Sequence, residues 1–221
     1  MIKKVLSFFL PINILKRKST LSKSLEVTWS NGELVLDSLN TNYSYGSLQR
    51  ILRQGLMSIG FEHIQKMKNI LILGVAGGSV IKTLVNEIGS KADITGVEID
   101  AEVINIANTY FGLDRIPNLR IVIDDAFDFV LKEQDHYDLI IVDIFQDSTM
   151  PKFLFETYFA DRLALLLTAD GIILFNTMIL SDDDELRNQT YLKSWNTSQY
   201  LIKTIPRVEK HNEVIIIKKK S

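Results

Sequence analysis

Residues 69–79 read NILILGVAGGS, in which an apolar run of four residues leads through a glycine-rich turn into a helical pattern. Three more apolar segments follow at residues 93–98, 119–123 and 137–142, and helical patterns separate them. Apolar strands that alternate with helices are typical of a parallel sheet covered by helices on both faces. The sequence therefore predicts an α/β domain with a doubly wound sheet.

The rest of the chain completes this sheet. We predict a helix, a fifth strand, a second helix and two closing strands, at residues 151–167, 171–176, 182–192, 200–204 and 213–218. We expect Pro206 to lie in the connector between the two closing strands. The sheet should then have seven mostly parallel strands with an antiparallel edge.

The N-terminal part carries different signals. Residues 25–37 read as a small β-hairpin, because Asn31-Gly32 suits a two-residue turn. The first 25 residues hold six lysines and arginines and no acidic residue, and their apolar stretch is too short to span a membrane. We expect a basic arm (1–24), a hairpin and loop (25–46) and the main domain (47–221). The arm should dock on the domain or on a second subunit of a homodimer; peripheral membrane contact without stable insertion is the alternative.

Composition excludes several classes of function. The net charge of −2 provides no overall attraction for nucleic acid, and the absence of cysteine rules out disulfides and thiolate chemistry. The three histidines are scattered along the chain, so we expect no metal site. A cytoplasmic location is compatible with these features.

The turn after the first strand is the first candidate site. Glycines there permit a tight turn and close approach of a ligand, and the following helix start presents free N–H groups. The candidate cofactor-binding residues in this turn are Gly74, Ala76, Gly77 and Gly78.

Acidic residues follow the next three strands. Glu98 ends the second strand, where it can accept ribose hydroxyls, although capping of the next helix is an alternative for it and still more for Asp100. Asp125, next to Ala126, can accept a hydrogen bond from an adenine amine. Asp143 follows the fourth strand and can take a proton from a cationic amine, unless it only caps the next loop or helix.

These strand ends resemble the class I S-adenosylmethionine-binding, Rossmann-like fold, and more narrowly the spermidine synthase (polyamine aminopropyltransferase) family. The narrower resemblance rests on four segments: GELVLD at 32–37 followed by Tyr45, VEID at 97–100, Asp125, and YDLIIVD at 137–143. It implies S-adenosylmethionine or its decarboxylated form as cofactor, a small amine as acceptor and Asp143 as general base. It also implies substrate contacts from Tyr45, Gln146 and Asp147.

The sequence departs from the family pattern at several acids. Gly77 stands where the family has an aspartate that binds the aminopropyl amine, and Gln146 replaces an acid that helps to hold the polyamine. Ile72 occupies the position at which many methyltransferases carry an acid for the methionine amine. Three functions therefore stay open: aminopropyl transfer, methyl transfer to an unknown acceptor, and nucleoside binding without catalysis.

Overall fold

The computed structural model of the protein describes residues 2–19, 21–22, 24–38, 42–44, 46–145 and 149–220. Its strands are β1 (Ile12–Arg17), β2 (Leu25–Ser30), β3 (Glu33–Ser38), β4 (Asn42–Ser44), β5 (Asn69–Leu73), β6 (Asp93–Glu98), β7 (Leu119–Ile123), β8 (Tyr137–Val142), β9 (Leu167–Met178), β10 (Tyr200–Val208) and β11 (Asn212–Lys219). Its α-helices are α1 (Ile2–Leu6), α2 (Ser47–Ile59), α3 (Phe61–Ile64), α4 (Ser79–Lys82), α5 (Ala101–Ile106), α6 (Ala126–Lys132), α7 (Thr157–Leu165) and α8 (Asp182–Ser194). Helices α4 and α5 continue as π-helical segments, Thr83–Ile88 and Ala107–Phe111.

The seven predicted strands form one sheet in the order β10–β11–β9–β8–β5–β6–β7. Strands β9, β8, β5, β6 and β7 are parallel, whereas β11 pairs antiparallel with both β9 and β10. This arrangement confirms the doubly wound fold and its antiparallel edge. The order of the strands reverses between β5 and β8, so the carboxyl ends of these two strands form the crevice in which such sheets bind ligands.

The alternation of side chains along the strands explains why the sheet is buried on both faces. In β5, Ile70 and Ile72 join one apolar core, whereas Leu71 and Leu73 join the core on the opposite face. Helices α2 and α4 contribute to the first core, and α7 and α8 contribute to the second. Apolar residues at successive positions are therefore required, which is why the strand was readable as a continuous apolar run.

The N-terminal sheet is larger than the single hairpin that we predicted. The hairpin itself is confirmed: β2 and β3 pair through a turn in which Asn31 and Gly32 have positive φ angles of 50° and 80°. However, β1 pairs with β2 and β4 pairs with β3, giving four strands. Part of the expected arm is thus a strand whose cations are neutralised: Lys16 pairs with Glu26 at 2.6 Å and Arg17 with Glu102 at 2.7 Å.

Two predictions in the C-terminal half need correction. The helix predicted over 151–167 is split into a 3₁₀ turn, Lys152–Phe155, and α7, because Glu156 adopts an extended conformation between them. Pro206 lies within β10 rather than in a connector. A proline is tolerated there because β10 is an edge strand and needs hydrogen bonds on one side only.

In the described part of the chain, no helix combines the length and apolar character that a membrane crossing requires.

Candidate functional site

The candidate residues lie side by side at the carboxyl ends of the parallel strands. Asp143 follows β8, the glycine-rich loop follows β5, Glu98 ends β6 and Asp125 follows β7. Since these strands are neighbours in that order, the sheet brings three carboxylates and the loop to one edge. The site therefore occupies the switch point of the sheet.

Glu98 fastens the glycine-rich loop to the sheet. Its Oε2 accepts hydrogen bonds from the backbone N–H groups of Val75 (3.1 Å) and Ala76 (3.0 Å), and its Oε1 accepts one from Asp100 (3.1 Å). Burial raises the pKa of this carboxyl, against the lowering effect of these three bonds. A carboxylate offers about four acceptor positions, so one remains for a ribose hydroxyl where we expected two.

Asp100 has the capping role that we kept as the alternative for it. Its Oδ1 accepts the backbone N–H of Glu102 at 3.0 Å and so caps α5. Its Oδ2 accepts a hydrogen bond from the Ser19 hydroxyl. The N-terminal segment is thereby connected to the strand that carries Glu98.

Asp125 combines a structural contact with a partly exposed position in the site. Its Oδ1 caps α6 by accepting the Phe127 N–H at 2.7 Å. With Phe127, Asp128 and Phe153, it lines a surface pocket of about 290 Å³. The second carboxylate oxygen of Asp125 is not needed for the cap, so the residue has the chemistry expected for binding an adenine amine.

Asp143 is positioned by the backbone and by an asparagine. Its N–H donates to the carbonyl of Leu73 at 2.9 Å, and its Oδ1 accepts a hydrogen bond from Asn176 Nδ2 at 2.8 Å. Burial raises the pKa of Asp143 to about 6, the nearby charge of Glu98 adds to this effect, and the Asn176 bond opposes it. A carboxyl with this pKa can exchange a proton near neutral pH.

The sequence analysis missed two residues of this site. Asn176, fully buried near the end of β9, contacts Asp143, and Asn212 at the start of β11 donates to Asn176 Oδ1 at 3.0 Å. The available signal was an asparagine at the end of an otherwise apolar strand, FN at residues 175–176. The contact between this asparagine and Asp143 depends on the pairing of β8 with β9, which a local sequence pattern does not predict.

Gly74 allows the loop to contact the strand that carries Asp143. It has a φ of 90°, and a Cβ atom there would lie 2.2 Å from the carbonyl oxygen of Asp143. A residue with a side chain fits neither this positive φ nor this close contact unless the backbone shifts. The loop and the end of β8 are thus held in direct contact.

We predict that Gly74→Ala lowers the free energy of unfolding by about 2–4 kcal/mol, from the left-handed conformation and the steric overlap together. Gly60→Ala is the matched control, because Gly60 also has a positive φ (103°) but no atom within 4 Å of a Cβ. Urea denaturation of both variants measures the difference. An equal loss in the two proteins would show that the contact with Asp143 contributes nothing.

Three predicted substrate-side residues, Tyr45, Gln146 and Asp147, lie outside the described residues. The loop residues Gly77 and Gly78 lie where predicted, and Gly78 is the left-handed residue that precedes α4. Ala76 also has a positive φ, 48°, which places its N–H against Glu98.

The residues at the sheet edge fit the nucleoside part of an S-adenosylmethionine-type cofactor. Glu98 retains an acceptor position for ribose, and Asp125 retains an oxygen for adenine. The carboxylate of Asp143 has the chemistry expected for binding the amine of an acceptor. Ile72 and Gly77 carry no charge, whereas Asp143 is an acid whose backbone N–H is bonded to Leu73, the residue that leads into the loop.

Comparison with known proteins identifies relatives of two kinds. A polyamine aminopropyltransferase of Vibrio vulnificus is 33% identical over 130 residues, covering 57% of this chain and 43% of that protein. An eEF1A lysine and N-terminal methyltransferase homolog of Drosophila melanogaster is 28% identical over 131 residues, covering 55% of this chain and 19% of that protein. The chain thus matches less than half the length of each of these relatives.

A solved structure and a family model add to these sequence relatives. Spermidine synthase from Thermotoga maritima superposes with a TM-score of 0.66 at 20% identity, covering 95% of this chain and 73% of that one. At this identity the likeness shows the fold alone. The spermine/spermidine synthase domain, however, matches residues 50–221. Because this segment covers most of the chain, the protein belongs to the spermine/spermidine synthase domain family.

Proposed function

We propose that the protein is a transferase that moves an alkyl group from S-adenosylmethionine or its decarboxylated form to an amine. The observation that carries this proposal is the environment of Asp143. It is a carboxyl at the switch point of the sheet, in contact with the cofactor loop, with a pKa raised to about 6. A group with this pKa is largely deprotonated at neutral pH and holds a proton only weakly.

Each residue of the site has a role in this proposal. The sulfonium nucleoside supplies an electrophilic carbon next to its positively charged sulfur. Glu98 and Asp125 hold its ribose and adenine, and the loop from Gly74 to Gly78 contacts its amino acid part. Asp143 binds the acceptor amine and takes its proton, which leaves a nitrogen lone pair free to react. The substrate-side contacts of Tyr45, Gln146 and Asp147 remain part of the proposal.

The choice between aminopropyl and methyl transfer depends on how the amino acid end of the cofactor is held. Family membership and the aminopropyltransferase relatives favour aminopropyl transfer. The neutral residue Gly77, in place of an acid, removes a partner for an aminopropyl amine and favours methyl transfer. The methyltransferase relatives support this second candidate.

Calorimetric titration with the two forms of the cofactor tests both candidates. Aminopropyl transfer predicts tighter binding of decarboxylated S-adenosylmethionine, and methyl transfer predicts tighter binding of the intact molecule. Polyamines and protein or small-molecule amines are then tested as acceptors with the form that binds. If neither form binds, the proposal fails, and the domain is a relative without this cofactor.

A further inference from the structure

We propose that Asn176 and Asn212 form a relay that positions Asp143 and keeps its carboxylate charged, so that both are positioning residues for the proposed reaction. This inference rests on the proposed function for its catalytic meaning. The relay itself consists of two hydrogen bonds, so it can be tested without any substrate.

The register of the sheet brings the first two members together. Val142 pairs with Phe175 in the parallel β8–β9 ladder, so Asp143 and Asn176 are the next pair along it. Their side chains leave the same face of the sheet, and Nδ2 of Asn176 reaches Oδ1 of Asp143 at 2.8 Å. Within the described part of the chain, Oδ2 of Asp143 accepts no hydrogen bond, which leaves this oxygen for an acceptor amine.

Asn212 determines which way the amide of Asn176 points. In the antiparallel β9–β11 ladder Asn176 pairs with Val214, so Asn212 is its diagonal neighbour on the same face. Nδ2 of Asn212 donates to Oδ1 of Asn176 at 3.0 Å. If the Asn176 amide rotated by half a turn, its oxygen would face the Asp143 carboxylate and its NH₂ group would face another NH₂ group. The hydrogen bond from Asn212 therefore holds Asn176 in the orientation that donates to Asp143.

The charges around Asp143 explain why it needs this donor. Burial disfavours its charged form, and Glu98 is the ionisable group among the described residues whose negative charge adds to that effect. Asn176 provides the side-chain hydrogen bond that favours the charged form. Both asparagines are shielded from solvent, with exposures of 0% and 7%, so water does not replace the bond. The relay thus opposes both effects by stabilising the charged form of the carboxyl group that must accept a proton.

The test measures the ionisation of Asp143 in variants of the full chain. ¹³C NMR of the carboxyl groups follows the titration, and the signal of Asp143 is assigned by its loss in Asp143→Asn. We expect Asn176→Ala to raise the midpoint by about one pH unit, because a hydrogen bond to a charged group is lost. Asn176→Asp should raise it further, because a second carboxyl then faces the first. Asn212→Ala should raise it less than Asn176→Ala.

Asn188 provides the matched control. It is an equally buried asparagine, 1% exposed, whose Nδ2 donates to Thr177 Oγ1 and to Glu213 Oε2, both at 2.8 Å, and it does not contact Asp143. Asn188→Ala should reduce thermal stability and leave the titration of Asp143 unchanged. An unchanged midpoint in Asn176→Ala, or an equal shift in Asn188→Ala, overturns the relay.

Kinetics connect the relay to the reaction. With an active cofactor and acceptor, the acid limb of kcat/KM should move to higher pH in Asn176→Ala by the shift that NMR measures, and Asn188→Ala should leave it in place. An acid limb that stays in place although the NMR midpoint moves overturns the positioning role. If the midpoint moves and no cofactor form supports transfer, the relay stands and the proposed function fails.

Discussion

Asp143→Asn is expected to lower the rate of alkyl transfer by about 10²–10⁴-fold, the range typical for loss of a general base. Asparagine has the same shape as aspartate and its Oδ1 can still accept the hydrogen bond from Asn176, so the site should keep its geometry. What is lost is the ability to take a proton from the acceptor amine. Affinity for the cofactor, measured by calorimetry, should change little because Glu98 and the loop are intact.

The wild-type pH profile should have a related feature. Since the pKa of Asp143 is about 6, transfer should fall about tenfold per unit as pH decreases below 6, as the carboxyl becomes protonated. Asp143→Asn should lack this dependence in its residual activity. A variant that transfers at the wild-type rate would show that Asp143 is not the base and would favour the reading of the domain as a nucleoside binder.

The stability of Asp143→Asn shows whether this variant is folded, and the raised pKa of Asp143 determines the direction of the expected change. The pKa of Asp143 is raised on folding, so the folded state holds the proton more tightly and wild-type stability decreases as pH rises from about 4 to about 6. The neutral asparagine avoids the free-energy cost of burying a charged carboxylate. We expect Asp143→Asn to be more stable than wild type at pH 8, by about 1–3 kcal/mol, and similar to it at pH 4. Thermal denaturation at the two pH values measures the difference.

The central parallel strands β5 and β8 were predictable because burial on both faces makes them nearly continuous apolar runs. Strand β5 is the plainest case: Ile70 to Leu73 alternate between two cores, so no polar residue interrupts them. Strand β1 was not predicted, because it ends in Lys16 and Arg17, and we interpreted these basic residues as part of an arm. Their partners, Glu26 and Glu102, are remote in sequence, and only the folded chain shows that these charges are neutralised.

The site was predictable in its members but not in its contacts. An acid at the end of a parallel strand, or within two residues after it, lies at the carboxyl edge of the sheet, which located Glu98, Asp125 and Asp143. Glu98 accepts three hydrogen bonds from backbone N–H groups, and these bonds depend on the path of the loop next to it. The contact of Asn176 with Asp143 depends on strand register, a property of two segments that lie 33 residues apart in the chain. Neither fact is encoded in a local pattern.

Glu98→Gln is expected to weaken binding of the cofactor, or of its product S-adenosylhomocysteine, by about 10²-fold. Hydrogen bonds to a charged group contribute about 1.5–3 kcal/mol each, and the neutral amide removes that charge from the acceptor for ribose. The substitution also acts on the protein itself. A glutamine can turn its oxygen toward Val75 and Ala76 or toward Asp100, and its NH₂ group must then face a backbone N–H donor. The loop should therefore loosen, with a loss of about 1–3 kcal/mol in the free energy of unfolding for the unpaired N–H.

Glu102→Gln is the matched control for this prediction. Glu102 carries the same charge and lies four residues further along, but its partners are Arg17 and Asn105 and it does not contact the loop. Its ion pair with Arg17 is exposed, so its loss should alter stability by less than about 1 kcal/mol and leave cofactor affinity unchanged. Calorimetry on the two variants separates a specific role of Glu98 from a general effect of negative charge near the loop. Equal losses of affinity in the two variants would show that the effect comes from the general negative potential near the loop. Wild-type affinity in Glu98→Gln would show that Glu98 does not bind the cofactor and only holds the loop in place.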